Sequence, residues 1–201
     1  RRPWPVDPLP SNADLNNGSL LQTSGYGSTR PDAELRAAGT TDPAWTLPFT
    51  TMLDGGTKGV ESIRTLAQQW PAADSNPYDE ATTIQNHLRD PAFYQYTLNP
   101  PQGPSQNVWP VVFFLQTSHK GYCQYFASAM GSMLRSLGIP TRLVTGYGPG
   151  IDRTPNRPCP RQHTVTTSDA PSRAAPVFPT HAPIPLPPPP PPPHGPSPAP
   201  P

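Results

Sequence analysis

Apolar positions along the middle of the chain recur at helical spacing in three places. Val60, Ile63, Leu66, Ala67 and Trp70 line one face between residues 59 and 70, and Pro71 ends that helix. Asn76-Pro77 opens the next, with Asn76 as cap and Pro77 at the first helical position. Its buried stripe is Ala81, Ile84 and Leu88, and it stops near Arg89-Asp90-Pro91. In the third, Phe126, Met130, Met133, Leu134 and Leu137 share a face. Gly138 follows as a left-handed cap, and Pro140 forbids continuation.

Between and after these helices the period changes. Residues 93–98 alternate as a short strand, with Tyr94, Tyr96 and Leu98 on one face. Residues 108–115 are an apolar run leading to the third helix. Residues 141–147, β-branched and aromatic, predict a sheet strand directly after it, and 164–168 predict a second, with Asp169 at its end. Upstream, residues 32–38 hold one or two helical turns, and Trp45-Thr46-Leu47-Pro48-Phe49 is an apolar island in an extended segment. A helix against an antiparallel sheet makes an α+β fold.

Composition limits how much of the chain that core can include. The 201 residues hold 35 Pro and 15 Gly, about a quarter of the total, and only 33% are hydrophobic. We therefore expect a disordered leader over 1–56, a core over 57–170 and a Pro-rich tail over 171–201. The unbroken Pro run 187–193 favours polyproline II, a stiff spacer or a ligand for an aromatic groove. A net charge of +1 argues against nucleic acid as a partner. No Cys-x-x-Cys or His-x-x-x-His spacing suggests a metal, and no cofactor is expected. No apolar run reaches the length of a membrane span.

The chemistry concentrates at Cys123. It opens the third helix, behind Gly121 and near Lys120. Unpaired N–H groups and the positive dipole end of a first turn favour a thiolate. Cys159 is the other cysteine, and a disulfide between the two would sequester the nucleophile.

Residues 121–130, Gly-Tyr-Cys-Gln-Tyr-Phe-Ala-Ser-Ala-Met, and 133–147, Met-Leu-Arg-Ser-Leu-Gly-Ile-Pro-Thr-Arg-Leu-Val-Thr-Gly-Tyr, resemble the transglutaminase-like superfamily, in its bacterial, membrane-anchored branch. The resemblance spans roughly residues 77–170. It implies a papain-like fold, with the nucleophile helix on an antiparallel sheet and a Cys-His-Asp triad. The implied activity is thiol acyl transfer or proteolysis on protein carboxamides or peptide bonds. It also implies an extracytoplasmic domain of a membrane protein, tethered by segments outside this chain.

The resemblance fails after Ala170. The family His follows a Ser-Asp-Ala stretch, and Pro171 stands there after Ser168-Asp169-Ala170. Phe178-Pro179 alone matches the family's following turn, and the strand of the third triad member has no counterpart. A reading-frame shift or true degeneration gives this pattern. The candidate catalytic set is thus Cys123 as nucleophile, His163 as substitute base and Asp169 to orient it, with His181 a more remote base. His119 sits too early to meet a thiol inside the helix, and His87 reads as a partly exposed helix residue. Two functions follow: an impaired thiol acyltransferase or peptidase, or an inactive remnant serving as a binding or spacer module.

Overall fold

The helix opened by Cys123 is the centre of the packing. A computed structural model describes residues 31–51, 56–71, 76–103, 108–146, 151–152, 163–164 and 172–179. Its helices are α1 (Asp32–Arg36), α2 (Gly56–Gln69), α3 (Pro77–Arg89), α4 (Pro110–Phe113) and α5 (Cys123–Ser136). Its strands are β1 (Gln95–Tyr96), β2 (Lys120–Gly121), β3 (Thr141–Thr145), β4 (Ile151–Asp152), β5 (His163–Thr164) and β6 (Ser172–Pro176). Helices α2, α3 and α4 and strands β3 and β6 all pack on α5. Helices mixed with short two-stranded sheets make an α+β fold, as expected.

The helical stripes pack as the spacing predicts. Ile63 and Ala67 of α2, Ala81, Ile84 and Leu88 of α3, and Phe126, Met130, Met133 and Leu134 of α5 are all buried in one cluster. Asn76 caps α3, its Oδ1 accepting from the Asp79 N–H at 3.0 Å while its amide donates to the Asp79 carboxylate. These bonds, with the Arg36 guanidinium after them, hold the Asp79 carboxyl below its ordinary range. Asn76→Ala should cost about 1 kcal/mol, read as a lower urea midpoint at unchanged slope. An unshifted midpoint would show the cap to be idle.

Gly138 takes φ +85°, the left-handed cap expected of it. The turn then reverses the chain, and Arg135 clamps the reversal by donating to the Thr141 carbonyl from Nε and Nη2 at 2.9 and 2.7 Å. Strand β3 thus runs back along α5 towards Cys123. Strand β6 pairs with it antiparallel, from Thr145↔Ser172 at one end to Thr141↔Pro176 at the other. Ser172 therefore enters the ladder at the end nearer the start of α5.

The last strand departs from the expected layout. Residues 165–168, expected as the second strand, lie outside the described residues, and the strand found beside β3 is Ser172–Pro176, in the stretch expected to be tail. Ala174, Ala175, Val177 and Phe178 are buried there, and Phe178 meets Tyr78 edge-on at 5.7 Å. Ser-Arg-Ala-Ala-Pro has no alternation and weak strand propensity; pairing with β3 and burial against α5 decide its state. Pro176 ends the strand, where a missing N–H is tolerated.

The leader also differs from expectation. Leu35 of α1 is buried in the core, and Arg36 Nε sits 2.7 Å from Asp79 Oδ1. An exposed ion pair adds little, so α1 is held by Leu35, whose burial contributes about 1.5–3 kcal/mol. Ala44–Phe49 is a 3₁₀ helix instead of an extended segment. The Thr46 N–H and Oγ1 both donate to the Pro43 carbonyl, which tightens the turn. The Pro-rich run lies outside the described residues.

Candidate functional site

Cys123 is the first residue of α5, and its thiol is free and half-buried. Tyr122 caps the helix with extended backbone and no side-chain bond, so the first-turn donors are not used up by a capping oxygen. Gly121, just before, is buried, and a Cβ there would come within 2.7 Å of the Tyr125 Cβ, so a side chain would force Tyr125 aside. Lys120 is exposed.

The approach to Cys123 is fixed by two short parallel strands. Strand β1 pairs with β2 in the register Gln95↔Lys120 and Tyr96↔Gly121. Two bonds tie it down: Gln95 N–H to the His119 carbonyl at 2.8 Å, and Thr97 N–H to the Gly121 carbonyl at 2.9 Å. The strand is shorter than the alternation of 93–98 suggests: Tyr94 is buried, Tyr96 half-buried, and Leu98 is 71% exposed.

Aromatic rings set the floor of the site. Tyr94, Tyr96 and Phe114 all pack on Phe126, one turn into α5. The Tyr94 hydroxyl donates to the Leu115 carbonyl at 3.0 Å, and burial pushes its phenol up to about 12. Tyr96 lies nearly flat over Phe126, centroids 6.3 Å apart and planes 18° off parallel. Burial is the main cause that raises its phenol, and the neighbouring thiol adds to it. Tyr96 reads in the sequence as one of three residues on a strand face. A parallel pairing between residues 25 apart has no local signal, so its place beside Gly121 was not legible.

The histidines divide by position. His119 takes a left-handed backbone at φ 51°, its ring bonded to the Leu115 carbonyl at 3.0 Å and edge-on to Tyr94. It has a structural role there, as its place before the helix suggests. His87 lies between Trp70 and Phe93, with ring centroids 4.0 and 4.6 Å away, and burial lowers its affinity for a proton. The backbone of His163 pairs with Asp152 across β4 and β5, a ladder separate from β3–β6. The His163 side chain, Asp169, Pro171, Cys159 and His181 lie outside the described residues. Of the candidate set, the described structure thus places Cys123 fully and His163 by backbone register only. Among the described residues no group of three His, Cys, Asp or Glu is placed to hold a metal ion.

Comparison with known proteins follows the same segment. The family model described as the transglutaminase-like superfamily matches residues 64–173. The uncharacterized protein YebA of Bacillus subtilis is 32% identical over 119 residues, covering 59% of this chain and 16% of that protein. A protein-glutamine gamma-glutamyltransferase of Pseudomonas aeruginosa is 35% identical over 93 residues, covering 46% of this chain and 13% of that protein. The crystal structure of the periplasmic domain of TgpA from Pseudomonas aeruginosa, bound to ethylmercury, superposes with a TM-score of 0.56 at 25% identity. That match covers 76% of this chain and 50% of the TgpA domain. The chain thus spans only a small part of the curated relatives' length.

Proposed function

The chain belongs to the transglutaminase-like superfamily, and on that premise we propose that it is a thiol acyltransferase or peptidase domain with Cys123 as its nucleophile. The observation that carries this reading is a free, half-buried thiol on the first residue of α5. That position combines access for a carbonyl carbon with a helix terminus that favours the thiolate.

The substrate is a protein or peptide. The sulfur attacks a carboxamide carbon, ammonia or an amine leaves, and a thioester remains. A second amine then forms a new amide, or water releases the acid. The gamma-glutamyltransferase relative supports the transfer branch. His163 is the substitute base and Asp169 its orienting carboxylate. Pro171 in place of the family His leaves the domain impaired, because base assistance contributes about 10²–10⁴-fold. The domain works on the extracytoplasmic side of a cell membrane, a reading supported by the periplasmic TgpA likeness. Among the described residues no helix is long and apolar enough to cross a membrane.

Dansylcadaverine incorporation into casein tests the reading, in a Cys159→Ser background. Slow incorporation is expected, falling to the uncatalysed rate in Cys123→Ala. Equal rates in parent and variant would leave the second reading, which Pro171 favours: an inactive module that binds or spaces partners.

A further inference from the structure

The 3₁₀ helix Ala44–Phe49 has its polarity turned inside out. At three residues per turn, Thr46 and Phe49 share one face. Thr46, the one hydroxyl side chain, is fully buried, while Ala44, Trp45, Leu47 and Pro48 are exposed. Trp45 is 52% exposed and Leu47 65%. A single exposed leucine needs no explanation, but four apolar positions turned outward within five residues do.

This helix lies on the face of the β3–β6 ladder turned away from α5. Leu143 reaches Gly131 of α5, so its neighbours Arg142 and Val144 point the other way. The Arg142 guanidinium sits over the Phe49 ring, 5.1 Å from the centroid. Arg142 pairs with Ala175 and Val144 with Arg173. The two arginines are thus diagonal neighbours on that face, about 7–8 Å apart. Among the described residues neither has a carboxylate partner. Two like charges so close repel, and an anion between them relieves the repulsion. Asp42, just before the helix, is half-buried and stands apart from the outward positions. We infer that Ala44–Phe49, with Arg142 and Arg173, forms a docking surface for an anionic phospholipid bilayer. The apolar positions enter the boundary between headgroups and acyl chains, where an indole is favoured, and the guanidiniums meet lipid phosphates. The contact goes beyond the side of the membrane on which the domain works: its own folded face touches lipid. It does not depend on Cys123 as nucleophile, and α5 stays on the other face of the ladder.

Sedimentation of the full chain with vesicles tests this, using phosphatidylglycerol and phosphatidylcholine in equal parts against phosphatidylcholine alone. Binding to the anionic vesicles should be about tenfold tighter or more, since each basic residue at such a surface contributes roughly fivefold. It should weaken as salt rises. Arg142→Gln with Arg173→Gln should remove most of that preference. Trp45→Ser with Leu47→Ser should weaken binding about tenfold or more. Both side chains are exposed, so the urea midpoint of that variant should stay unchanged. A second readout needs no polar variant: lipids brominated in the acyl chain should quench the part of the parent's fluorescence that Trp45→Phe removes. Equal binding to the two kinds of vesicle, or to neither, overturns the inference. So does a serine variant that binds as the parent does, or Trp45 emission that brominated lipid leaves unquenched. Dimerisation without vesicles that is lost in the serine variant also overturns it, because a second copy of the chain would then cover this face.

Discussion

Pro171→His should raise Cys123-dependent amine incorporation about 10²-fold or more, the largest gain any single change here is expected to bring. The reason lies in register. Ser172 is the first residue of β6, and it pairs with Thr145 at the end of β3 that faces the start of α5. The residue before it in the chain is the one the family uses for its base. An imidazole introduced there stands where the family keeps its base, a group that takes the thiol's proton on attack and returns it to the leaving amine. Incorporation should then follow a bell-shaped pH profile, rising as the imidazole loses its proton. A folded Pro171→His protein that incorporates amine no faster than the parent would mean the site needs the missing third member before any base can act. His163→Ala in the parent is the companion measurement: a loss of residual incorporation would make His163 the working base, and no loss would exclude it.

Phe178→Ala should destabilise the fold by about 3–5 kcal/mol, the largest loss expected of any side chain beyond residue 170. Phe178 is 1% exposed, meets Tyr78 of α3 edge-on and follows Val177, whose N–H donates to the Pro140 carbonyl at 2.8 Å. It therefore pins the end of β6 to both α3 and the turn after α5. Removing the ring opens a cavity between layers that cannot close without parting β6 from β3. Urea unfolding followed by tryptophan fluorescence gives the figure directly. A cost below about 1 kcal/mol would return this segment to the tail that its composition suggests. Truncation after Ala170 should act in the same direction and more strongly, since it also removes the partner of β3.

How much of this was legible in the sequence depends on how far apart the contacting residues are. The Asn76-Pro77 start, the Ala81–Ile84–Leu88 stripe and the Gly138 cap are local devices. Each depends on residues within a turn or two, and each is found as its spacing predicts. The place of the thiol is of the same kind, because Cys123 opens a helix whose apolar face is written in its own sequence. Strand β6 was not legible: Ala174-Ala175-Pro176 carries no pattern until β3 and α5 are beside it. Leu35 lay in a stretch whose Pro, Asn and Ser content read as leader, and a single buried leucine ties it to the core.

The sequence by itself determined the helices, their order, the family motif and the thiol. A helix and its caps are specified by contacts three and four residues apart, and those neighbours are present in any window of the chain. Only the tertiary structure decided that Ser172 enters the sheet at the thiol's end and that Phe178 closes the core against Tyr78. Those pairings join residues 27 to 100 positions apart, and their free energy comes from burial and register that exist only once the layers are in place.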